Sequence, residues 1–468
     1  MAHQHYQTVP SEQTRMPSGI PYIVGNEAAE RFSFYGMRAI LMVVMMQTLV
    51  TATGANDHMK EEEATRWLAN FTSALYFFPL LGAILSDWVV GKYRMILSVS
   101  LLYCAGHAVL ALMDFQTGLD QRTLLGWGLA LIAVGAGGIK PCVSAHVGDQ
   151  FGRANASLLP VVYGWYYFSI NFGATFSTML TPILLKEERF GLAWAFGVPG
   201  ALMALATLVF WLGRYKYVHV PPAGNRFFRE TFSWAGFRAI VNLIPIYLLI
   251  APFWSLFDQS ASRWVSQAER MDRHLGFWEP SAAQFQAVNP IMVMVLIPLF
   301  SYVIYPAIGR VVNLTPLRRI GIGLFLTVPS FLIATWIESR LNAGEAPHIG
   351  WQVLAYGFLT SAEILVSITS LEFSYTQAPN EMKSLVMGVY FLSIMLGNQY
   401  TALVNGYIEK MSDRGYPVLQ GASYYWFFAM TMLVSAVLFV VWAPFYRGHT
   451  YVQSEPDELE EKREDSIR

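Results

Sequence analysis

Charge is scarce in this sequence. Asp, Glu, Lys and Arg make up 13% of its 468 residues, about half the share found in a soluble globular domain. That shortage excludes an ordinary water-soluble surface over most of the chain. The formal net charge is −1, so no basic surplus exists to hold a polyanion, and a nucleic-acid partner is excluded. Cysteine is almost absent as well. Cys104 and Cys142 both lie inside apolar runs, which rules out a disulfide framework and gives no metal-ligand spacing. Roughly the first 19 residues are polar and lack the basic start, apolar middle and small-residue cleavage site of a secretory leader. The first membrane helix is therefore expected to double as the insertion signal. No nucleophile–base pair, metal cluster or nucleotide loop is present, so neither an enzyme nor a bound cofactor is expected.

Apolar residues fill the space that charge leaves. The chain is 54% hydrophobic with a mean hydropathy of +0.38. Runs of about 20 apolar residues, each enough to cross a ~30 Å hydrocarbon core, recur along its whole length. Twelve membrane spans are read at 21–50, 66–90, 94–113, 122–150, 157–185, 192–213, 236–267, 284–310, 316–338, 349–377, 384–408 and 421–446. The expected fold is an all-α membrane protein of two six-helix bundles, 21–213 and 236–446. A linker at 214–235, with Pro221, Pro222 and several basic residues, joins them. Residues 1–20 and 447–468 are read as cytoplasmic tails, and from Ser454 to Arg468 the second is almost all charged and polar and is expected to be disordered.

The halves echo each other weakly. A tight basic turn follows the second span of each, at Gly91-Lys92-Tyr93-Arg94 and at Thr315-Pro316-Leu317-Arg318-Arg319. Parallel repeats of this kind place their sites at the midplane between halves. The modest Lys and Arg bias of the short loops favours both termini in the cytoplasm of a cell membrane.

The densest polar feature lies in the first span. Insertion scales charge roughly 2.5–3.5 kcal/mol for an Asp, Lys or Arg at mid-bilayer. Yet Glu27, Glu30 and Arg31 stand at i, i+3 and i+4 and share one helix face, which Tyr35 and Arg38 continue. The plain reading is an ion pair that fixes helix packing, but two acids and two bases exceed what one packing contact needs. The sharper reading is that Glu27 or Glu30 exchanges a proton while Arg31 and Arg38 offer guanidinium forks to a carboxylate. Arg31 cannot fully satisfy both a Glu and a bound carboxylate, and that competition would couple the two. Further along, Lys140 follows a glycine run at 135–138 that lacks phosphate-loop spacing. The glycines read as a close helix contact, and a mid-span lysine needs an acidic partner or a ligand.

Five runs in order resemble signatures of the proton-dependent oligopeptide transporter family of the major facilitator superfamily: 27–36 (EAAERFSFYG), 135–144 (GAGGIKPCVS), 167–173 (YFSINFG), 253–259 (FWSLFDQ) and 371–379 (LEFSYTQAP). The resemblance covers all the spans. It implies a major facilitator fold and a symporter that couples proton entry to import of di- and tripeptides. It also implies that Lys140 pairs with Asp258 or receives the peptide carboxylate. Two departures stand out. The 214–235 linker is too short for the two extra helices of many bacterial members. Tyr76 matches a second-helix tyrosine, but Ala69 replaces the histidine of animal members, so no histidine there accepts a proton. His146 stands where an aromatic is usual.

Proton coupling is accordingly expected at Glu27, Glu30 and Asp258. The substrate site is expected from Arg31, Tyr35, Arg38, Tyr76, Lys140, Asn171, Trp254, Asn289 and Glu372. Arg31 and Lys140 would read the substrate carboxylate. Glu372, in a Ser- and Thr-rich stretch, would read its amine with Asn171 and Asn289. The plain alternative for each Asn is an interhelical hydrogen bond, worth about 0.6–2 kcal/mol. Tyr35, Tyr76, Tyr163 and Trp254 would supply apolar walls with polar tips. Glu363 lies nine residues before Glu372, on roughly the opposite face, and is left outside the site. Arg263 is a candidate outward gate. The rival substrate is an inorganic anion such as nitrate, against which Glu372 argues. The expected partners are a short peptide and the bilayer, with the protein a monomer.

Overall fold

The computed structural model describes residues 6–10, 13–186, 190–222, 224–225, 234–276, 278–377 and 383–446. The charged tail at 447–468, the linker residues Arg226 and Arg229, and the side chains of Tyr163 and Tyr167 lie outside that description.

Helices make up most of what is described. The longer ones are α1 (Ile20–Gln47), α2 (Glu61–Leu85), α3 (Lys92–Ala111), α4 (Gln121–Gly148), α5 (Leu159–Leu184), α6 (Leu192–Leu212), α7 (Trp234–Phe257), α8 (Val288–Leu299), α9 (Pro316–Asn342), α10 (Gly350–Glu363), α11 (Lys383–Asp413) and α12 (Ala422–Trp442). Among the described residues, nine stretches are long and apolar enough to cross a membrane. The other three predicted spans hold α1, α5 and α11, with 28, 26 and 31 residues. The charges on its polar face lower the mean hydropathy of α1.

Local chemistry explains several boundaries. α2 starts at Glu61 rather than at residue 66 because Glu61, Glu62 and Glu63 fill its first turn, where the helix dipole favours negative charge. The seventh span breaks after α7 into a 3-10 turn at Asp258–Ala261 and a short helix at Arg263–Glu269. The eighth opens with a 3-10 turn, Ala282–Ala287, held by a capping box between Ser281 and Gln284. The tenth is interrupted by a π turn at Ile364–Ile368 before it resumes at Thr369–Thr376.

The glycine run of α4 is a packing surface. A Cβ on Gly135 would stand 2.9 Å from the Val99 carbonyl oxygen, and one on Gly138 would stand 2.8 Å from a Val99 methyl carbon. Only glycine lets α3 and α4 approach this closely.

Buried apolar side chains form two main clusters. One draws chiefly on the first half, including Ile40, Leu75, Ile132 and Phe196. The other lies in the second half, including Ile250, Phe331, Tyr356 and Met432. The halves meet along α2 and α11. At the end away from the chain termini they are tied by Arg263–Glu61 at 2.6 Å, Arg66–Glu409 at 2.8 Å and Lys60–Asp413 at 2.9 Å. Arg263 also donates to Asn405 at 2.8 Å and lies 4.1 Å over the Tyr424 ring.

At the opposite end, the N-terminal stretch docks on the segment after α6. The His219 amide donates to the Gln7 carbonyl at 2.7 Å, and the Tyr6 and His219 rings stack 4.2 Å apart. Beside them His146, unexplained by the sequence, meets Phe210 and Tyr217 edge-on. It fills an aromatic position as an aromatic would.

Candidate functional site

A cavity of about 320 Å³ lies at mid-depth between the halves, within the roughly 300–1,000 Å³ of small-molecule sites. The first half contributes Tyr35 and Arg38 from α1, Tyr76 from α2, and Asn171 and Thr178 from α5. The second half contributes Trp254 and Asp258, Asn289, Glu363, and Tyr390 from α11.

Charge is arranged in two places on this wall. Arg38 and Asp258 form a buried ion pair across the halves. The other Asp258 oxygen accepts from Asn398 Nδ2 at 2.6 Å. The break at the end of α7 puts Asp258 there, because it opens the 3-10 turn. Elsewhere Glu363, the last residue of α10, accepts from Asn289 Nδ2 at 2.8 Å, and the same amide donates to Thr360 Oγ1 at 3.1 Å.

Glu372 is a correction. It is exposed and does not line the cavity, whereas Glu363 does. The two acids lie on different faces, as their spacing demands, but the inward face belongs to Glu363. Glu363, Ser367 and Leu371 carry the cavity wall at four-residue steps. Glu372 is one residue past that series, turned away by about 100° in a regular helix.

Lys140 is a second correction. Its Nζ lies 4.5 Å from the centre of the Tyr76 ring and 4.8 Å from that of Phe34. It does not pair with Asp258, whose cation is Arg38, and it is not part of the cavity wall. α4 packs against α2 and α3, which brings Lys140 up to Tyr76 instead. Arg31 does not line the cavity either. Its Nε sits 2.6 Å from Glu27 and 3.3 Å from Glu30, so the i, i+3, i+4 face forms as its spacing requires. Both glutamates are fully buried. Among the described residues, neither carboxyl oxygen of Glu30 takes a hydrogen bond, and neither amide atom of Asn26 does.

The predicted residues thus divide. Tyr35, Arg38, Tyr76, Asn171, Trp254, Asp258 and Asn289 meet at the cavity; Glu27, Glu30 and Arg31 form a separate polar cluster on α1. Thr178 and Tyr390 also line the cavity unpredicted, and the missed charged residue is Glu363. Its signal was the Ser367 and Leu371 series that shares its face.

Residues 93–236 and 233–427 match the model of the POT family. A crystal structure of an auto-inhibited POT family peptide transporter is 35% identical, superposes with a TM-score of 0.83, and pairs 94% of this chain with 99% of that one.

The chain belongs to the POT family.

A second POT crystal structure, of a proton-dependent oligopeptide family transporter, is 36% identical with a TM-score of 0.74, covering 90% of this chain and all of that one. Solute carrier family 15 member 2 of Homo sapiens is 35% identical over 395 residues, which is 75% of this chain. Peptide transporter family 1 of Drosophila melanogaster is 35% identical over 365 residues, or 70% of this chain. The chain spans about half the length of these curated relatives, 53% and 48%. Membership in POT makes it an integral membrane protein with the architecture of those transporters.

Proposed function

We propose that this POT protein is a proton-coupled symporter that imports di- and tripeptides by alternating access. The observation that carries the reading is the pairing of opposite fixed charges on one small cavity, Arg38 held by Asp258 and Glu363 held by Asn289. A short peptide has a carboxylate at one end and an ammonium at the other. Docking its carboxylate on Arg38 and its amine on Glu363 satisfies both, with the strength of charge-assisted hydrogen bonds. A carboxylate arriving at Arg38 competes with Asp258, and a proton on Asp258 would release the arginine for it. Glu30, buried with no hydrogen bond among the described residues, is the corresponding proton holder on the α1 cluster, since an unbonded buried carboxylate is costly while it stays ionised. Tyr35, Tyr76 and Trp254 give the substrate side chain an aromatic wall with few polar demands, which suits a broad range of peptides. The relatives' names as peptide transporters support the same substrate. Nitrate finds no support, because Glu363 would repel it.

The test is uptake in proteoliposomes under an imposed proton gradient, with a dipeptide, its amidated form, its N-acetylated form and nitrate. The expected result is accumulation of the free dipeptide above equilibrium and much weaker uptake of both blocked forms. Gradient-driven accumulation of nitrate without dipeptide uptake would overturn the reading.

A further inference from the structure

A second depression, of about 1,020 Å³, lies on the outside of the second half between α9 and the end of α12. Leu317, Gly321, Phe325 and Pro329 form one wall on successive turns of α9; Val440 and Ala443 of the α12 end form the other. Gly321 and Ala443 lack bulk, and this hollows the seam. From Arg318 to Pro329 the helix rises about 16 Å at 1.5 Å per residue, close to the depth of one leaflet of a ~30 Å core. The lower walls face outward: Ile322 is 43% exposed and Val440 50%.

The mouth of the groove, at the end that holds the chain termini, is basic. Arg318 is exposed and donates to the Asn313 carbonyl at 2.7 Å, and both residues line the groove. Arg310 and Arg319 stand close by in sequence, and Arg319 lies 4.5 Å over the Tyr305 ring. Of the three arginines only Arg318 lines the groove, and among the described residues no Asp or Glu lines it. A polar, cationic mouth above an apolar slot one leaflet deep matches a lipid with a negative headgroup.

We propose that this groove binds an anionic phospholipid, with its phosphate at Arg318 and an acyl chain along α9 as far as Pro329. A zwitterionic lipid fills the slot equally well, but the cation of its headgroup offsets the phosphate charge that the arginine meets. An arginine beside an anionic headgroup favours it by about five-fold.

The experiment is native mass spectrometry of the full chain, purified and equilibrated with equal amounts of phosphatidylglycerol and phosphatidylcholine. Wild type is expected to retain phosphatidylglycerol about five-fold over phosphatidylcholine. Arg318→Gln, at an exposed position, should bring the ratio close to one with an unchanged melting temperature. Gly321→Phe should lower retention of both lipids by filling the slot. Equal retention by wild type overturns the proposal, and so does a wild-type preference that survives Arg318→Gln. A preference that emerges only after residues 455–468 are deleted overturns it too, since the acidic tail would then be the occupant.

Discussion

Glu30 and Glu363 are both buried carboxylates, but their surroundings differ. Glu363 accepts a hydrogen bond from Asn289, while Glu30 accepts none among the described residues and has only Arg31 at 3.3 Å. On the proposed reading, the first meets the substrate amine and the second holds the coupling proton. Glu30→Gln should therefore abolish gradient-driven accumulation yet leave counterflow exchange at least partly intact, because exchange needs binding but no net proton movement. Intact accumulation would remove Glu30 from the coupling. Glu363→Gln should weaken dipeptide binding by roughly 1.5–3 kcal/mol, the worth of a hydrogen bond to a charged group, and N-acetylated dipeptide binding much less. Glu372→Gln should stay near wild type. Competition binding with a labelled dipeptide decides between them, and the reverse order of losses would reject the assignment.

Among the elements, the irregular turns position the site. α7 ends at Asp258 in a 3-10 turn, and α10 passes into a π turn directly after Glu363, a feature that recurs at functional sites. Outside the membrane, the docked N-terminal stretch carries a pH-sensitive contact. Burial among Tyr6, Tyr93 and Tyr217 pushes the His219 imidazole below its ordinary value; a bond from its Nε2 to the Arg214 carbonyl opposes the shift in part, and the Arg94 charge adds to it. A base whose pKa falls on docking favours the docked state while neutral. That contribution is complete above about pH 6.5 and shrinks as pH drops below it. Hydrogen exchange at Tyr6 and Gln7, corrected for its intrinsic pH dependence, should rise between pH 7 and pH 5. His219→Phe, which keeps the ring, should flatten that response. A wild-type profile that is also flat would dismiss the contact as a sensor.

For the whole molecule, among the described residues the ion pairs joining the halves lie at mid-depth or at the end away from the termini. The exposed Lys60–Asp413 pair is worth little. The Arg263–Glu61 pair is more consequential, because Arg263 is buried against Asn405 and Tyr424. Removing one partner of a buried pair leaves its mate uncompensated. Arg263→Ala should therefore shift the population toward opening at that end. Spin labels at positions 60 and 413 should report a longer distance in the variant than in wild type. An unchanged distribution would mean that the packing of α2 on α11, with the Arg66–Glu409 pair, keeps this end shut without Arg263.

The share of this that the linear sequence determined is the part that neighbours along the chain decide. A span in hydrocarbon must satisfy its own backbone as a helix, so composition and run length give the membrane class and the span positions. The 3.6-residue period gives the shared face of Glu27, Glu30 and Arg31. The rest depended on the packing of helices distant in sequence. Glu363 faces inward because of how α10 is rotated against Asn289. Asp258 meets Arg38 rather than Lys140 because α7 ends beside α1, while α4 carries Lys140 up to Tyr76. Arg263 finds Glu61 only when the halves close on each other. Rotation and contact between distant segments are set by the fit of whole helix surfaces, which no local spacing records.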